Sequence, residues 1–241
     1  MPSTYRIAAH LSEKDLTRVD AASHFGRCIG DLFSRIRPRK VVETGTYRGT
    51  GTTTIIARAL RDLGLDDARF ISIEVNPGNV ERATQNLANA GLDVDVRTGL
   101  SVPRGLLPTI AEIERAYVAN VRSEGLIVDH EEADRARLYF GETNFPHLPD
   151  DLLGAALAEF DDRPDFVLLD SGGHVGFVEF NYLIGRLAGP CHLALDDIYH
   201  VKHFQSFERI KSDPRFELVT ASEEKFGFCI ARFTPGIGAG E

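Results

Sequence analysis

Two short stretches each end an apolar run in aspartate. LLDSGGH (168–174) carries Asp170, and LALDDIYH (193–200) carries Asp196 and Asp197. On neighbouring strands the three carboxylates would share one sheet edge and repel unless a cation or protons neutralise them. Oxygen-only ligands with open positions suit Mg²⁺, which keeps water and takes substrate oxygens. Such an ion would clamp a substrate hydroxyl and lower its pKa, so that an alkoxide attacks in line. The structural alternative makes Asp197 a helix N-cap and leaves Asp170 to a cofactor alone.

A second pair of acids stands earlier in the chain. VVETGTYRGTGTTT (41–54) places Glu43 at the end of a β-branched run, ahead of Gly45, Gly49 and Gly51. Gly45 falls where the chain must turn sharply, and Gly49 and Gly51 permit close backbone approach at the start of a helix. The spacing is E-x-G-x-x-x-G, neither the dinucleotide fingerprint nor the P-loop, and no lysine follows. A carboxylate here suits a ligand with a cationic or hydroxyl-rich part better than a pyrophosphate. FISIEVNP (70–77) then ends in Glu74. An acid at that strand tip can accept both hydroxyls of a ribose, or cap the turn before a helix at Asn79.

The elements that must hold these residues alternate. KVVET, RFISIEV, VDVRTG, DFVLLD, HLALDD, FELVTAS and KFGFCIARF read as strands, the last two close enough to pair antiparallel. Helical stretches separate the others, with stops at Gly64 and Gly91. The expected fold is α/β: a doubly wound, mostly parallel seven-stranded sheet of Rossmann-like type in one domain over residues 1–241. Ligands then gather outside the carboxyl ends of the strands. Residues 1–38 read as an N-terminal helical segment, with Phe25, Ile29, Leu32, Phe33 and Ile36 on one stripe. Residues 103–149 exceed what one crossover needs and read as a helical insertion, a lid or substrate wall. Within it Thr109 and Glu112 form a capping-box pattern after Pro108.

ETGTYRGTGT, then ISIEVNP, then RTGLS resembles the class I S-adenosylmethionine-dependent methyltransferases. The nearest group is catechol O-methyltransferase-like, with its small-molecule and sugar O-methyltransferases. The resemblance covers residues 40–101 and 165–233. It implies that Glu43 and the Gly45 to Gly51 loop, including Thr46, Tyr47 and Gly49, hold the methionine end of S-adenosylmethionine. Glu74 would hold the ribose, Gly99 to Ser101 would approach the adenine, and Asp170 would adjoin the cofactor. Tyr47 and Arg48 would touch the cofactor or substrate, or simply face water. Metal-dependent members resemble the later acids too, so Asp170, Asp196 and Asp197 match the places of Mg²⁺ ligands.

The catechol type also has a lysine shortly after the strand-four acid. DSGGHVG holds none, and His174 is the natural substitute as base. Its spacing from Asp170 is four, where similar sugar O-methyltransferases usually have three. His200, Lys202 and His203 in DDIYHVKH are the other candidate bases, with His200 next after His174. The implied activity is metal-assisted O-methylation of a hydroxyl on a sugar, phenol or natural-product intermediate. Alternatives are a metal-independent transfer with a histidine base and a same-fold, cephalosporin hydroxylase-like or other non-methylating enzyme. A nicotinamide oxidoreductase fits the glycine spacing poorly, and a non-catalytic protein would use the strand-end acids only as caps.

Bulk properties agree with a small-molecule partner. The net charge of -9 over 241 residues argues against nucleic acid. Three scattered cysteines show no metal spacing and read as thiols of a reducing compartment. With no apolar signal core and no run of membrane length, a cytoplasmic location and no membrane partner are expected. Homo-oligomerisation is compatible with all of this.

Overall fold

The computed structural model describes residues 6–7, 19–120, 127–128 and 135–236. Along the chain, β1 (Arg6–Ile7) and α1 (His24–Ile36) lead into β2 (Lys40–Thr44), α2 (Thr52–Asp62), β3 (Arg69–Glu74), α3 (Pro77–Asn89) and β4 (Asp95–Thr98). A 3₁₀ turn at Arg104–Leu106 precedes α4 (Ile110–Asn120), β5 (Ile127–Val128), α5 (Arg135–Thr143) and α6 (Leu152–Glu159). Then come β6 (Phe166–Leu169), α7 (Gly176–Arg186), β7 (Cys191–Asp196), α8 (Phe204–Ser212), β8 (Phe216–Ser222) and β9 (Phe228–Phe233).

Among the described residues seven strands form one sheet, in the order β4-β3-β2-β6-β7-β9-β8. All neighbours are parallel except β9, which runs antiparallel to both β7 and β8. This is the expected doubly wound sheet. The chain winds outward from β2 to β4, then returns to lay β6 on the other side of β2. The β2/β6 boundary is therefore the topological switch point, where crevices for ligands open in such sheets.

The central strands are apolar on both faces because helices cover both. Val41, Phe166, Leu168 and Ala194 pack under α1 and α2, with Phe25, Ile29, Phe33 and Ile56 buried between the layers. Val42, Val167, Leu169 and Leu193 pack under α6, α7 and α8, against Leu157, Phe180, Leu183 and Phe207. Helix α1 buries the stripe its sequence predicts. Ser23 caps its start by accepting from the Gly26 N–H, and Arg37 in left-handed conformation closes its end ahead of Pro38.

The capping box of the insertion forms: Glu112 accepts from the Thr109 N–H at 2.8 Å, and its own N–H reaches Thr109 Oγ1 at 3.3 Å. The insertion and the β7–α8 turn share a small apolar core of Ile113, Tyr139, Val201 and Phe204. Two expectations need correction. Residues 1–38 are not helical throughout, because Arg6–Ile7 is a strand, and the insertion is not purely helical, because Ile127–Val128 pairs with it in parallel. A two-residue strand shows no period-2 pattern to read. The other residues before Val19 lie outside the described residues.

Candidate functional site

Glu43 stands last but one on β2 and turns toward the α2 layer. It is fully buried. Oε1 accepts from Thr52 Oγ1 at 2.7 Å, and Oε2 accepts from Thr53 Oγ1 at 2.7 Å and Ser72 Oγ at 2.6 Å. The threonine run after the glycines thus supplies donors from the first turn of α2. Burial pushes the Glu43 carboxyl up to about 7, against the lowering effect of these three hydroxyls. Thr46 shares a 2.6 Å bond with Ser72 and extends the network into the loop.

The glycines of the loop have separate reasons. Gly45 has φ +87°, and a Cβ there would overlap the backbone carbonyl of Asp170, just past the end of β6. Its bare backbone lets the β2 and β6 tips meet at the switch point. Gly49, at φ +67°, lies against Ala83 and Leu87 of α3. Between them Tyr47 adopts φ 50°, rare for an aromatic residue. That conformation sends its N–H to Glu74 Oε2 at 2.7 Å while the residue stays 47% exposed, its ring under the Arg48 guanidinium.

Glu74 ends β3 beside this loop. Its Oε1 accepts from the Asn76 N–H at 2.8 Å, so it does hold the turn before α3, which starts at Pro77 with Asn76 as N-cap. Burial raises its pKa, opposed by the backbone donors. A carboxylate has about four acceptor positions. The Tyr47 and Asn76 N–H groups take two of them, and the Asn79 side chain and the Val75 backbone also donate toward the carboxylate. Gly99 and Ser101 follow β4 and are buried; Gly99 packs on Pro149 and Leu152, where the insertion ends.

The three aspartates gather at the tips of β6 and β7. One carboxylate oxygen from each lies within 4.8 Å of the others. Asp197 adopts φ 58°, which lets its N–H reach Asp196 Oδ1 at 3.0 Å. It does not cap α8, whose N-cap is His203. Lys202 enters this cluster from the β7–α8 turn. Its Nζ lies 2.8 Å from Asp170 Oδ1 and 2.8 Å from Asp197 Oδ2, and its side chain is only 7% exposed. Burial alone would lower the lysine pKa; Asp170, Asp197 and Asp196 more than reverse this and keep the ammonium charged. Burial raises both Asp170 and Asp196, and Asp196 further feels Asp197 and Asp170. The spacing of these donors fits a divalent ion, but an ammonium already bridges two of the three. As arranged, the residues do not fit Mg²⁺.

Three histidines lie in the turns that follow β6 and β7. His174 follows β6, and burial drives its imidazole down to about 4, so it is neutral through the physiological range. Its Nε2 is buried without a hydrogen-bond partner. His200 Nε2 meets the Tyr139 hydroxyl of α5 at 3.0 Å, bringing the insertion to the site. His203 is fully buried, with Nδ1 3.3 Å from Ser206 Oγ. Beneath Asp170, Glu179 of α7 is fully buried and accepts from Thr44 Oγ1 at 3.0 Å and Ser171 Oγ at 2.7 Å. Residue reading missed Tyr139 and Glu179. The second had a signal: Gly176, Glu179, Phe180, Leu183 and Ile184 form one buried stripe, with a carboxylate in the middle of it. A separate cavity of about 800 Å³ opens between α1 and α2, bordered by Gly26, Gly30, Gly51 and Arg58; its lining holds none of the strand-end acids.

No family model and no curated protein matches the sequence. Solved structures match its shape. The O-methyltransferase from Bacillus cereus, solved with SAH, is 17% identical with a TM-score of 0.54, covering 92% of this chain and 86% of that one. The Streptomyces achromogenes O-methyltransferase TomG, involved in tomaymycin synthesis and solved with SAM, is 16% identical with a TM-score of 0.51 (92% and 85% covered). A methyltransferase from Geobacter sulfurreducens is 16% identical with a TM-score of 0.54 (92% and 83% covered). The chain has the class I methyltransferase fold. No helix among the described residues is long and apolar enough to cross a membrane.

Proposed function

We propose that the protein is an S-adenosylmethionine-dependent methyltransferase acting on a hydroxyl of a small molecule. The observation that carries this is Glu74: a buried strand-tip carboxylate at the end of β3, oriented beside the glycine loop by the Tyr47 and Asn76 N–H groups. That arrangement suits a ribose diol beside a glycine loop, on a fold whose solved examples include proteins in complex with SAM or SAH. When bound, the cofactor supplies an electrophilic methyl group.

The chain supplies the rest. The Glu43 network fixes the loop, so that the backbone of Gly45 to Gly49 is positioned before any ligand arrives. Gly99 and Ser101 form the floor at the β4 tip. His174 is the proton acceptor: a neutral imidazole with an unpaired Nε2 is ready to take the hydroxyl proton as the oxygen gains its methyl. Tyr139 and His200 make the wall contributed by the insertion, which shapes the acceptor pocket.

Calorimetric titration of S-adenosylmethionine tests the reading. Micromolar binding is expected, weakened about tenfold or more in Glu74→Ala. Absence of binding by the folded wild-type chain would overturn it.

A further inference from the structure

We propose that Lys202 is the resident cation of the strand-end acid cluster, and that this chain handles its acceptor hydroxyl without a divalent metal ion. The inference rests on the methyl-transfer reading and concerns the same site. Its basis is position. The Lys202 ammonium lies 2.8 Å from one oxygen of Asp170 and 2.8 Å from one of Asp197, in the gap that a metal ion would need.

This lysine is not a surface side chain that has folded over an opening. Its neighbours Val201 and His203 are buried at 2% and 0% exposure. Val201 and Phe204 belong to the core shared with the insertion, which pins the backbone on both sides of Lys202. Mg²⁺ demands near-ideal octahedral oxygens and gives up water reluctantly. To enter, it would have to expel an ammonium from two carboxylates and leave that charge half-solvated beside a dication. Separating a buried pair in this way is strongly unfavourable.

An ammonium also does part of what a metal would. It has three donors. Two are engaged by Asp170 and Asp197, and the third is the one that meets the acceptor oxygen. A hydrogen bond from a fixed cation stabilises the negative charge that grows there as His174 removes the proton. The aspartates then act as positioning residues for Lys202 rather than as metal ligands.

Mn²⁺ binding followed by electron paramagnetic resonance on the full chain, with and without saturating S-adenosylhomocysteine, tests this apart from turnover. The wild type is expected to bind no Mn²⁺ up to about 1 mM. Lys202→Met, with three carboxylates left uncompensated, is expected to gain one site per chain, at least about tenfold tighter than any wild-type binding. Lys202→Gln provides the same comparison if the methionine variant does not fold. One Mn²⁺ bound per wild-type chain and lost in Asp196→Asn would overturn the proposal, as would Lys202 variants that fold and bind no more Mn²⁺ than the wild type. Failure of S-adenosylmethionine to bind would instead remove the methyltransferase reading and leave the cation assignment standing on the Mn²⁺ data.

Discussion

At the tips of β2 and β3, Glu43 and Glu74 are held by neutral donors: three hydroxyls for one, backbone N–H groups and the Asn79 side chain for the other. At the tips of β6 and β7, one ammonium bridges two of three clustered aspartates, Asp170 and Asp197. The two sides meet where Gly45 lies against the Asp170 carbonyl. Dipoles fix geometry without adding charge, which suits a side that must present a constant shape. A lysine among carboxylates sets up a strong local field, which suits a side where charge changes during a reaction.

The comparison breaks most severely at the contact between its halves. Gly45→Ala places a Cβ into the Asp170 carbonyl at a left-handed φ. It should destabilise the fold by about 4 kcal/mol. The thermal midpoint should fall on the order of 10 °C. Glu43→Ala comes next. It leaves three buried hydroxyls without their acceptor, and each such loss costs about 1 kcal/mol or more. Chemical denaturation should register roughly 3 kcal/mol in total, with Glu43→Gln distinctly milder.

Titration sharpens the contrast. Folded Glu43 keeps its proton up to about 7, whereas in the unfolded chain the carboxyl loses it near its ordinary value of 4.5. Its contribution to stability therefore falls as pH rises through that window. His174 runs the other way. The unfolded imidazole is protonated below 6.5, the folded one only near 4, so its contribution rises with pH between those values. Denaturation curves for Glu43→Gln between about pH 5 and pH 7 should climb more steeply with pH than those of the wild type. Curves for His174→Gln should climb less steeply. The smallest effect is Tyr139→Phe, which removes one buried hydrogen bond to His200 and should cost about 1 kcal/mol.

Much of this was legible from residues alone. All seven strands of the sheet, the covering helices and the approach of Asp170 to Asp196 and Asp197 follow from apolar runs punctuated by glycine and acid. Periodicity reports burial within one element. It carries no information on what crosses between elements. The Lys202–Asp170 bond joins residues 32 positions apart, and Tyr139 meets His200 across 61. Such pairings depend on how the β7–α8 turn and the insertion dock. The three hydroxyl partners of Glu43 were hidden differently: a threonine run reads as ordinary helix start until the strand beside it is placed.

Tyr139 belongs to two structures at once, the apolar core of the insertion and the polar rim of the site. Any repacking of the insertion core would move the hydroxyl that bonds His200. The packing of the insertion and the orientation of His200 are therefore inherited together. A sequence change in one would have to be matched in the other, or pass first through a form with the tyrosine replaced and the histidine released.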